Sequence, residues 1–144
     1  MTVVDNPAGD DFIARWNDFY EGLDDIAVTL ELYPISGTSE EVVVGMPLRP
    51  AIAQPAGMFS APSMFGLADV AGTWLAMLNT PEGVFPLAVQ SSLNVVSNTK
   101  EGHAIATATL VRAGRTLIVT DTKVCDELGK LLTNVVTTYV VPAR

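Results

Sequence analysis

Residues 60–78 read SAPSMFGLADVAGTWLAML, and the fold prediction is built outward from this segment. It is long enough for one helix, and its residues are apolar or small apart from a single charge, Asp69. Nothing within five residues on either side of Asp69 could pair with a carboxylate. Ionised carboxylates are seldom buried without a partner. We therefore expect Asp69 to lie in a cleft or to meet a second chain, the alternative being a buried, paired carboxylate without a catalytic task.

The pattern predicts a helix over residues 62–78, about 25 Å long at 1.5 Å per residue. This helix is apolar nearly all round, so it should be buried on most sides. Upstream, Asn6-Pro7 predicts the start of a shorter helix over about residues 7–21. Its aromatic side chains at helical spacing are interpreted as packing groups: Phe12, Trp16, Phe19 and Tyr20.

Alternating apolar residues predict six strands. Two lie before the long helix, at residues 26–33 and 42–48, and Pro47 suggests that the second is an edge strand. Four lie after it, at about residues 87–95, 104–112, 116–125 and 131–141, joined by short connections. The sequence therefore predicts an α+β domain in which one long helix packs on a six-stranded antiparallel sheet. A second copy of the chain would be a natural cover for the other side of the helix.

Composition narrows the function classes. Of 144 residues, 49% are hydrophobic and 17% charged, which indicates a single globular domain. The net charge of −8 disfavours nucleic acid and anionic membrane surfaces as partners, because both are bound by basic patches. No segment has the composition of a signal peptide or of a membrane span, so we expect a cytoplasmic protein.

Metal and thiol chemistry find little support in the sequence. The chain has one histidine, His103, and one cysteine, Cys125, and no carboxylate cluster with ligand spacing. We expect no cofactor and no metal, and we interpret His103 as a surface residue and Cys125 as a residue without a catalytic role.

The loop before the long helix carries a motif. Residues 54–62 read QPAGMFSAP, and Asp69 follows after six further residues. This segment resembles acyl-CoA thioesterases of the PaaI-like branch, which have the hotdog fold and the motif Asn-Pro-x-Gly-x-x-His-Gly-Gly followed by Asp or Glu. Two later segments, VRAGRTL at residues 111–117 and DELGKL at residues 126–131, resemble the closing hairpins of that family. The resemblance covers about residues 26–141 and implies one hotdog domain over residues 1–144, with residues 1–22 as a helical segment.

The resemblance implies a site made of several parts. Asp69 would attack the thioester or activate water, often across a dimer interface, and the Ala61 N–H would polarise the carbonyl. Gln54, in place of the family's asparagine, would orient the water or the carbonyl. Ser60 stands in place of the histidine and could instead cap the helix, and Pro62 in place of a glycine supplies no N–H.

The resemblance also implies residues that contact coenzyme A. Arg112 and Arg115 would meet its phosphates, Gln90 or Ser92 would hydrogen-bond in the cleft, and Lys100 is a weaker candidate. The implied function is an acyl-CoA thioesterase acting as a dimer or a dimer of dimers. Two alternatives stay open: a non-catalytic acyl-CoA binding or regulatory protein, and a purely structural module if Asp69 points into a sealed core.

Overall fold

The computed structural model describes residues 9–143. Within this range the helices are α1 (Gly9–Tyr20), α2 (Ile26–Thr29) and α3 (Ala61–Met77). The strands are β1 (Tyr33–Gly37), β2 (Glu41–Pro47), β3 (Leu87–Val95), β4 (His103–Ala113), β5 (Leu117–Cys125) and β6 (Leu131–Val140). A short 3-10 turn, Pro50–Ile52, precedes α3. No helix of residues 9–143 is both long and apolar enough to cross a membrane.

The six strands form one antiparallel sheet in the order β1-β2-β4-β5-β6-β3. The long helix α3 packs on one face of this sheet, mainly against β2, β4, β5 and β6. The predicted α+β architecture is therefore confirmed. Its physical basis is the alternation of each strand, which turns every second residue towards the helix.

The sheet face beneath α3 has small or hydroxylated side chains at its centre. On β4 these are Ala104, Ala106 and Ala108, and on β5 they are Thr120 and Thr122, all buried. Small residues let a helix approach a sheet closely, and the buried hydroxyls need hydrogen-bond partners within the core. Two hydroxyl groups, those of Thr120 and Thr122, therefore lie under the middle of α3, next to Gly72.

Gly72 permits this close approach. A Cβ at residue 72 would lie 2.8 Å from the Tyr139 hydroxyl and 2.9 Å from Thr120 Oγ1. We expect Gly72→Ala to lower the free energy of unfolding by about 1–3 kcal/mol, because the added methyl overpacks a rigid, buried site. Chemical denaturation of wild type and variant measures this difference.

Gly66→Ala is the matched control, since residue 66 lies in the same helix. Its added Cβ would meet only Leu30 Cδ1, the end of a flexible side chain, at 2.8 Å. Alanine also has the higher helix propensity. We therefore expect Gly66→Ala to leave stability unchanged or to raise it, and an equal loss in both variants would contradict the role of Gly72.

Helix α1 covers one edge of the sheet. It packs against β1, where the Phe12 ring lies directly over Gly37. Further along α1 the Trp16 ring stacks on Trp74 of α3 at a centroid distance of 5.5 Å. The aromatic stripe of α1 thus packs on the body of the fold, as predicted.

The other edge, β3, is uncovered within the described chain. It pairs with β6 on one side only, and its residues are exposed on both faces apart from the half-exposed Ser91. The exposed residues include large apolar side chains, namely Leu87 (52% exposed), Val89 (58%), Leu93 (39%) and Val95 (45%). A long apolar edge strand is a template for pairing with another chain.

Most predicted element bounds agree with the structure to within two residues. The long helix begins at Ala61, with Ser60 as its N-cap, and the four strands after it lie where the alternation placed them. The turn at residues 126–129 is closed by a hydrogen bond from Gly129 N–H to the Asp126 carbonyl at 3.1 Å. The predicted first-turn residues Asn6 and Pro7 lie outside the described range.

The strand predicted over residues 26–33 is wrong. Residues Ile26–Thr29 form the short helix α2, and β1 begins only at Tyr33. Asp25 caps α2 by accepting a hydrogen bond from Ala27 N–H at 2.8 Å, and Glu31 has a φ of 57° that interrupts any extended run. The side chain of Asp25 therefore stabilises a helix at residues whose apolar alternation predicted a strand.

The prediction that Pro47 marks an edge strand is also wrong. Strand β2 lies between β1 and β4, and Pro47 pairs with His103 of β4. The register with β1 reaches only to Gly45, so no strand on that side needs an N–H from residue 47. Proline is tolerated because it stands at the end of the strand.

Candidate functional site

Asp69 lies in the middle of α3 and lines a cleft of about 260 Å³. Thr73 and Met77, four and eight residues after Asp69, line the same cleft because they share one side of α3 with it, and Val70 lines the cleft beside them. The other walls come from the end of α1, the start of α2 and residues 85–88 at the start of β3. These walls are mostly apolar and aromatic, which is typical of small-molecule sites.

The Asp69 carboxylate is half-buried, and burial raises its pKa. Within residues 9–143 it makes no hydrogen bond and no ion pair. The described residues therefore do not provide the partner that a purely structural, paired carboxylate would have. A carboxylate with a raised pKa in an open cleft is a candidate for proton transfer or nucleophilic attack.

Two tyrosines lie near Asp69. Burial is the largest cause that raises the pKa of Tyr139 to about 12, and the charge of Asp69 adds to it. The Tyr139 hydroxyl lies 3.3 Å from Thr73 Oγ1, one turn of helix beyond Asp69. Tyr20, at the end of α1, lines the cleft itself.

Sequence reasoning missed Thr73, Tyr139 and Tyr20 as members of this region. The position of Thr73, four residues after Asp69, was a usable signal because such residues share a helix face. Nothing comparable singles out Tyr20 from the other aromatic residues of its stripe.

The structure does not bring Ala61 to Asp69 within one chain. The two residues are eight apart in α3, which corresponds to about 12 Å along the helix axis. Ala61 is exposed at the first position of the helix, and among the described residues its N–H has no acceptor. Ser60 acts as the N-cap, since its Oγ accepts a hydrogen bond from Ser63 N–H at 3.2 Å.

Gln54 lies in the loop before α3 and lines a second pocket, together with Arg49 and Lys100. Its side-chain oxygen accepts a hydrogen bond from Ala56 N–H, so it is turned towards its own loop. Asn98 holds this loop in place, accepting from Phe59 N–H at 3.2 Å and donating to the Phe59 carbonyl at 2.8 Å. Asn98 is a positioning residue that the sequence analysis did not single out.

The four residues implied to contact coenzyme A lie away from the Asp69 cleft. Arg112 and Arg115 are exposed at the β4–β5 hairpin, and within residues 9–143 neither makes an ion pair. Gln90 and Ser92 pair with Thr138 and Val136 of β6. Since the intervening β6 residues point at α3, Gln90 and Ser92 lie on the opposite face of the sheet.

His103 and Cys125 take no part in the Asp69 cleft. The His103 Nδ1 atom lies 2.5 Å from the Tyr33 hydroxyl, and Cys125 is a free thiol at the end of β5. Among residues 9–143 no group of three or more His, Cys, Asp or Glu side chains is arranged to hold a metal ion.

Comparisons with known proteins find similar structures but no similar sequence family. No family model and no curated protein matches the sequence. A mutant thioesterase from Pseudomonas aeruginosa matches with a TM-score of 0.84 and 19% identity, covering 95% of each chain. A Staphylococcus aureus protein matches with a TM-score of 0.79 and 22% identity, covering 82% of this chain and 98% of its own. A hypothetical thioesterase from Streptococcus pneumoniae, solved with coenzyme A, has a TM-score of 0.65 and 21% identity, covering 73% and 83%.

These similarities show that the chain has the hotdog fold, a six-stranded antiparallel sheet packed on a long helix. Two structures of the Staphylococcus protein are of single-substitution mutants. One carries alanine in place of a glutamate, and the other, described as a thioesterase enzyme, carries alanine in place of a glutamine. Those two positions are fifteen residues apart in that protein. The Pseudomonas thioesterase likewise carries alanine in place of a glutamine.

Proposed function

We propose that this chain hydrolyses acyl-CoA thioesters to a free acid and coenzyme A, with Asp69 as the reacting carboxylate. The observation that carries the proposal is the state of Asp69, which is half-buried and unpaired within the described chain and has a raised pKa in a largely apolar cleft. Such a cleft suits an acyl group, and such a carboxylate suits attack or general base catalysis.

The fold neighbours support the same assignment. Several are thioesterases, and one was solved with coenzyme A. Gln54 and Asp69 are fifteen residues apart, the same separation as the substituted glutamine and glutamate of the Staphylococcus protein. The spacing supports a joint role for Gln54 and Asp69 in this chain.

Two routes are open to Asp69. In one, a carboxylate oxygen attacks the thioester carbonyl, the C–S bond breaks, and water then hydrolyses the mixed anhydride. In the other, Asp69 takes a proton from a water molecule that attacks the carbonyl. In both routes the leaving sulfur takes the electron pair of the C–S bond and then a proton, and one water is consumed.

The described chain holds only half of this site, and we propose that a second copy completes it. Strand β3 is the uncovered, apolar edge of the sheet, and its first residues, Leu87 and Ala88, also line the Asp69 cleft. A partner docked on β3 would therefore border Asp69. We propose a twofold dimer in which the partner's helix start, with its Ala61 N–H and Gln54, lies at that cleft. The helix dipole would then assist the N–H in stabilising an oxyanion.

We propose that Arg112 and Arg115 contact the phosphates of coenzyme A. They are exposed cations on an acidic protein, and guanidinium groups bind phosphate through charge and paired hydrogen bonds. Gln90 and Ser92, on the outer face of the sheet, would reach the ligand only at such an interface. The cytoplasmic location stays a prediction.

A second candidate function is an acyl-CoA binding protein without turnover. Two hydrogen bonds favour it, since Ser60 Oγ is used as the helix cap and the Gln54 side-chain oxygen is bonded to Ala56 N–H. In this case the cleft would retain a ligand that is never cleaved.

Thiol release from straight-chain, branched and aromatic acyl-CoAs, measured between pH 4 and pH 9, tests the proposal. We expect turnover with at least one of these classes. We also expect kcat/KM to rise with pH through a pKa above the ordinary aspartate value of 3.8. Burial disfavours the carboxylate form of Asp69, so more of the enzyme is protonated and inactive at a given acidic pH.

Subtracting hydrolysis without enzyme at each pH provides the baseline. Tight binding of acyl-CoA with no thiol release in any class would favour the binding protein. Turnover that keeps its full rate down to pH 4 would contradict the role of a carboxylate with a raised pKa.

A further inference from the structure

Tyr20 is a polar group of the Asp69 cleft that comes from outside the resembling segment, at the last residue of α1. Its ring is held by neighbours, with centroid distances of 4.8 Å to Trp16 and 4.9 Å to Phe19. The ring therefore has a fixed position at the cleft wall, and its hydroxyl is a fixed feature of the cleft.

The Tyr20 hydroxyl accepts one hydrogen bond within the chain but donates none to the described residues. Trp74 Nε1–H donates a hydrogen bond to the Tyr20 oxygen at 3.0 Å. The hydroxyl proton has no acceptor among the described residues, although a phenol can donate one hydrogen bond. Burial, the largest cause, and the charges of Asp25 and Asp69 raise the pKa of Tyr20 to about 12, so the proton stays on the oxygen at neutral pH.

Two other residues with side-chain donors line the cleft, Thr73 and Trp74. The Trp74 N–H is bonded to Tyr20, and Thr73 Oγ1 lies 3.3 Å from the Tyr139 hydroxyl, where either oxygen can be the donor. Lysine, arginine and histidine do not occur among the described residues that line the cleft, whereas Asp25 and Asp69 do. A ligand oxygen entering this cleft would meet the Tyr20 hydroxyl, a side-chain donor that has no acceptor within the described chain.

We propose that Tyr20 is a substrate-contacting residue whose hydroxyl donates a hydrogen bond to the carbonyl oxygen of the acyl group. The identity of the ligand rests on the proposed function. A carbonyl oxygen has two lone pairs, so it can accept from Tyr20 and from a backbone N–H of a partner chain together. The bond would place the carbonyl carbon beside Asp69 and would strengthen as charge develops on the oxygen.

S-phenacyl-CoA is a suitable probe, because a methylene between its sulfur and its carbonyl prevents thioester hydrolysis. With ¹³C at the carbonyl, infrared difference spectra report hydrogen bonding to that oxygen. We expect the bound carbonyl to stretch at a higher frequency in Tyr20→Phe than in wild type. We also expect about tenfold weaker binding of the probe and about tenfold lower kcat/KM with acyl-CoA, the size of one good hydrogen bond.

Tyr33→Phe is the matched control. It also removes one tyrosine hydroxyl, but from the pair with His103 outside the cleft. We expect this variant to bind the probe and to turn over substrate like wild type. Thermal melts of both variants show whether each is folded at the assay temperature.

The outcomes separate the two proposals. Wild-type turnover with an unchanged carbonyl frequency and affinity in Tyr20→Phe would overturn the role of Tyr20 and leave hydrolysis standing. A Tyr20-dependent frequency shift without turnover of any acyl-CoA would support Tyr20 and overturn hydrolysis. Absence of probe binding to the wild type, together with absence of thiol release from every acyl-CoA class, would overturn both.

Discussion

Replacing Asp69 by asparagine is expected to lower kcat/KM for acyl-CoA hydrolysis by about 10²–10⁴-fold, which is the contribution of a positioned general base. Asparagine keeps the shape and polarity of the side chain but can neither attack the carbonyl nor take a proton. Thiol release with the best substrate of the panel measures the loss. Acyl-CoA binding should persist, because the cleft walls are unchanged.

The same substitution should not destabilise the fold at neutral pH. Burial raises the pKa of Asp69, so the folded protein favours its neutral form and the charged form opposes folding. This penalty is absent below the unfolded-state pKa and fully present above the folded-state pKa. We therefore expect Asp69→Asn to unfold at an equal or higher temperature than wild type at pH 7, with the difference vanishing in acid.

Asp18→Asn is the control, since it makes the same change at an exposed position in helix α1. It should alter neither turnover nor stability. Full activity in Asp69→Asn would refute the catalytic assignment. A loss of stability in Asp69→Asn would instead indicate a structural partner for the carboxylate.

How far the sequence predicts the fold depends on the length of each pattern. Helix α3 and strands β3 to β6 were predicted to within two residues because each pattern is long and is closed by turn residues such as Gly114 or Gly129. The prediction of a strand at residues 26–33 failed because α2 has only four residues, too few to show a helical period, and its apolar residues fit strand alternation equally well. The Asp25 cap that decides it contributes a single hydrogen bond.

Some residues of the candidate site could likewise be predicted from the sequence, and others could not. Asp69 could be found from sequence because a charge on an apolar helix needs a local explanation. Tyr20 could not, because its spacing matches that of packing residues such as Trp16 in the same helix. Its place in the cleft wall and its hydrogen bond from Trp74 are seen only in the tertiary structure.

Strand β3 shows a further limit. Alternation from Leu87 to Val95 predicts one buried face, yet both faces are exposed in the single chain. A sequence pattern reflects the burial of side chains in the functional protein together with any partner. The exposed fractions given above are those of a single chain. The apolar excess of β3 is therefore the observation that most supports the proposed second copy.

A mixed-chain experiment gives the largest effect expected from this arrangement. Chains with Asp69→Asn and chains with Gln54→Ala should each be nearly inactive alone. For Gln54→Ala we expect kcat to fall by about 10²-fold, the effect of losing a group that polarises the carbonyl. If each site combines Asp69 of one chain with Gln54 of the other, a dimer with one of each has one intact site. Random pairing of equal amounts makes half of the dimers mixed, so about a quarter of wild-type activity should return.

The matched control mixes Asp69→Asn with Tyr20→Phe chains under the same co-refolding conditions. Asp69 and Tyr20 line the same cleft of one chain, so no mixed dimer of these variants contains an intact site. Activity should then stay at the mean of the two separate variants. No recovery with Gln54→Ala would contradict a site that combines Asp69 of one chain with Gln54 of the other. Recovery in the control would contradict the placement of Asp69 and Tyr20 in one cleft of the same chain.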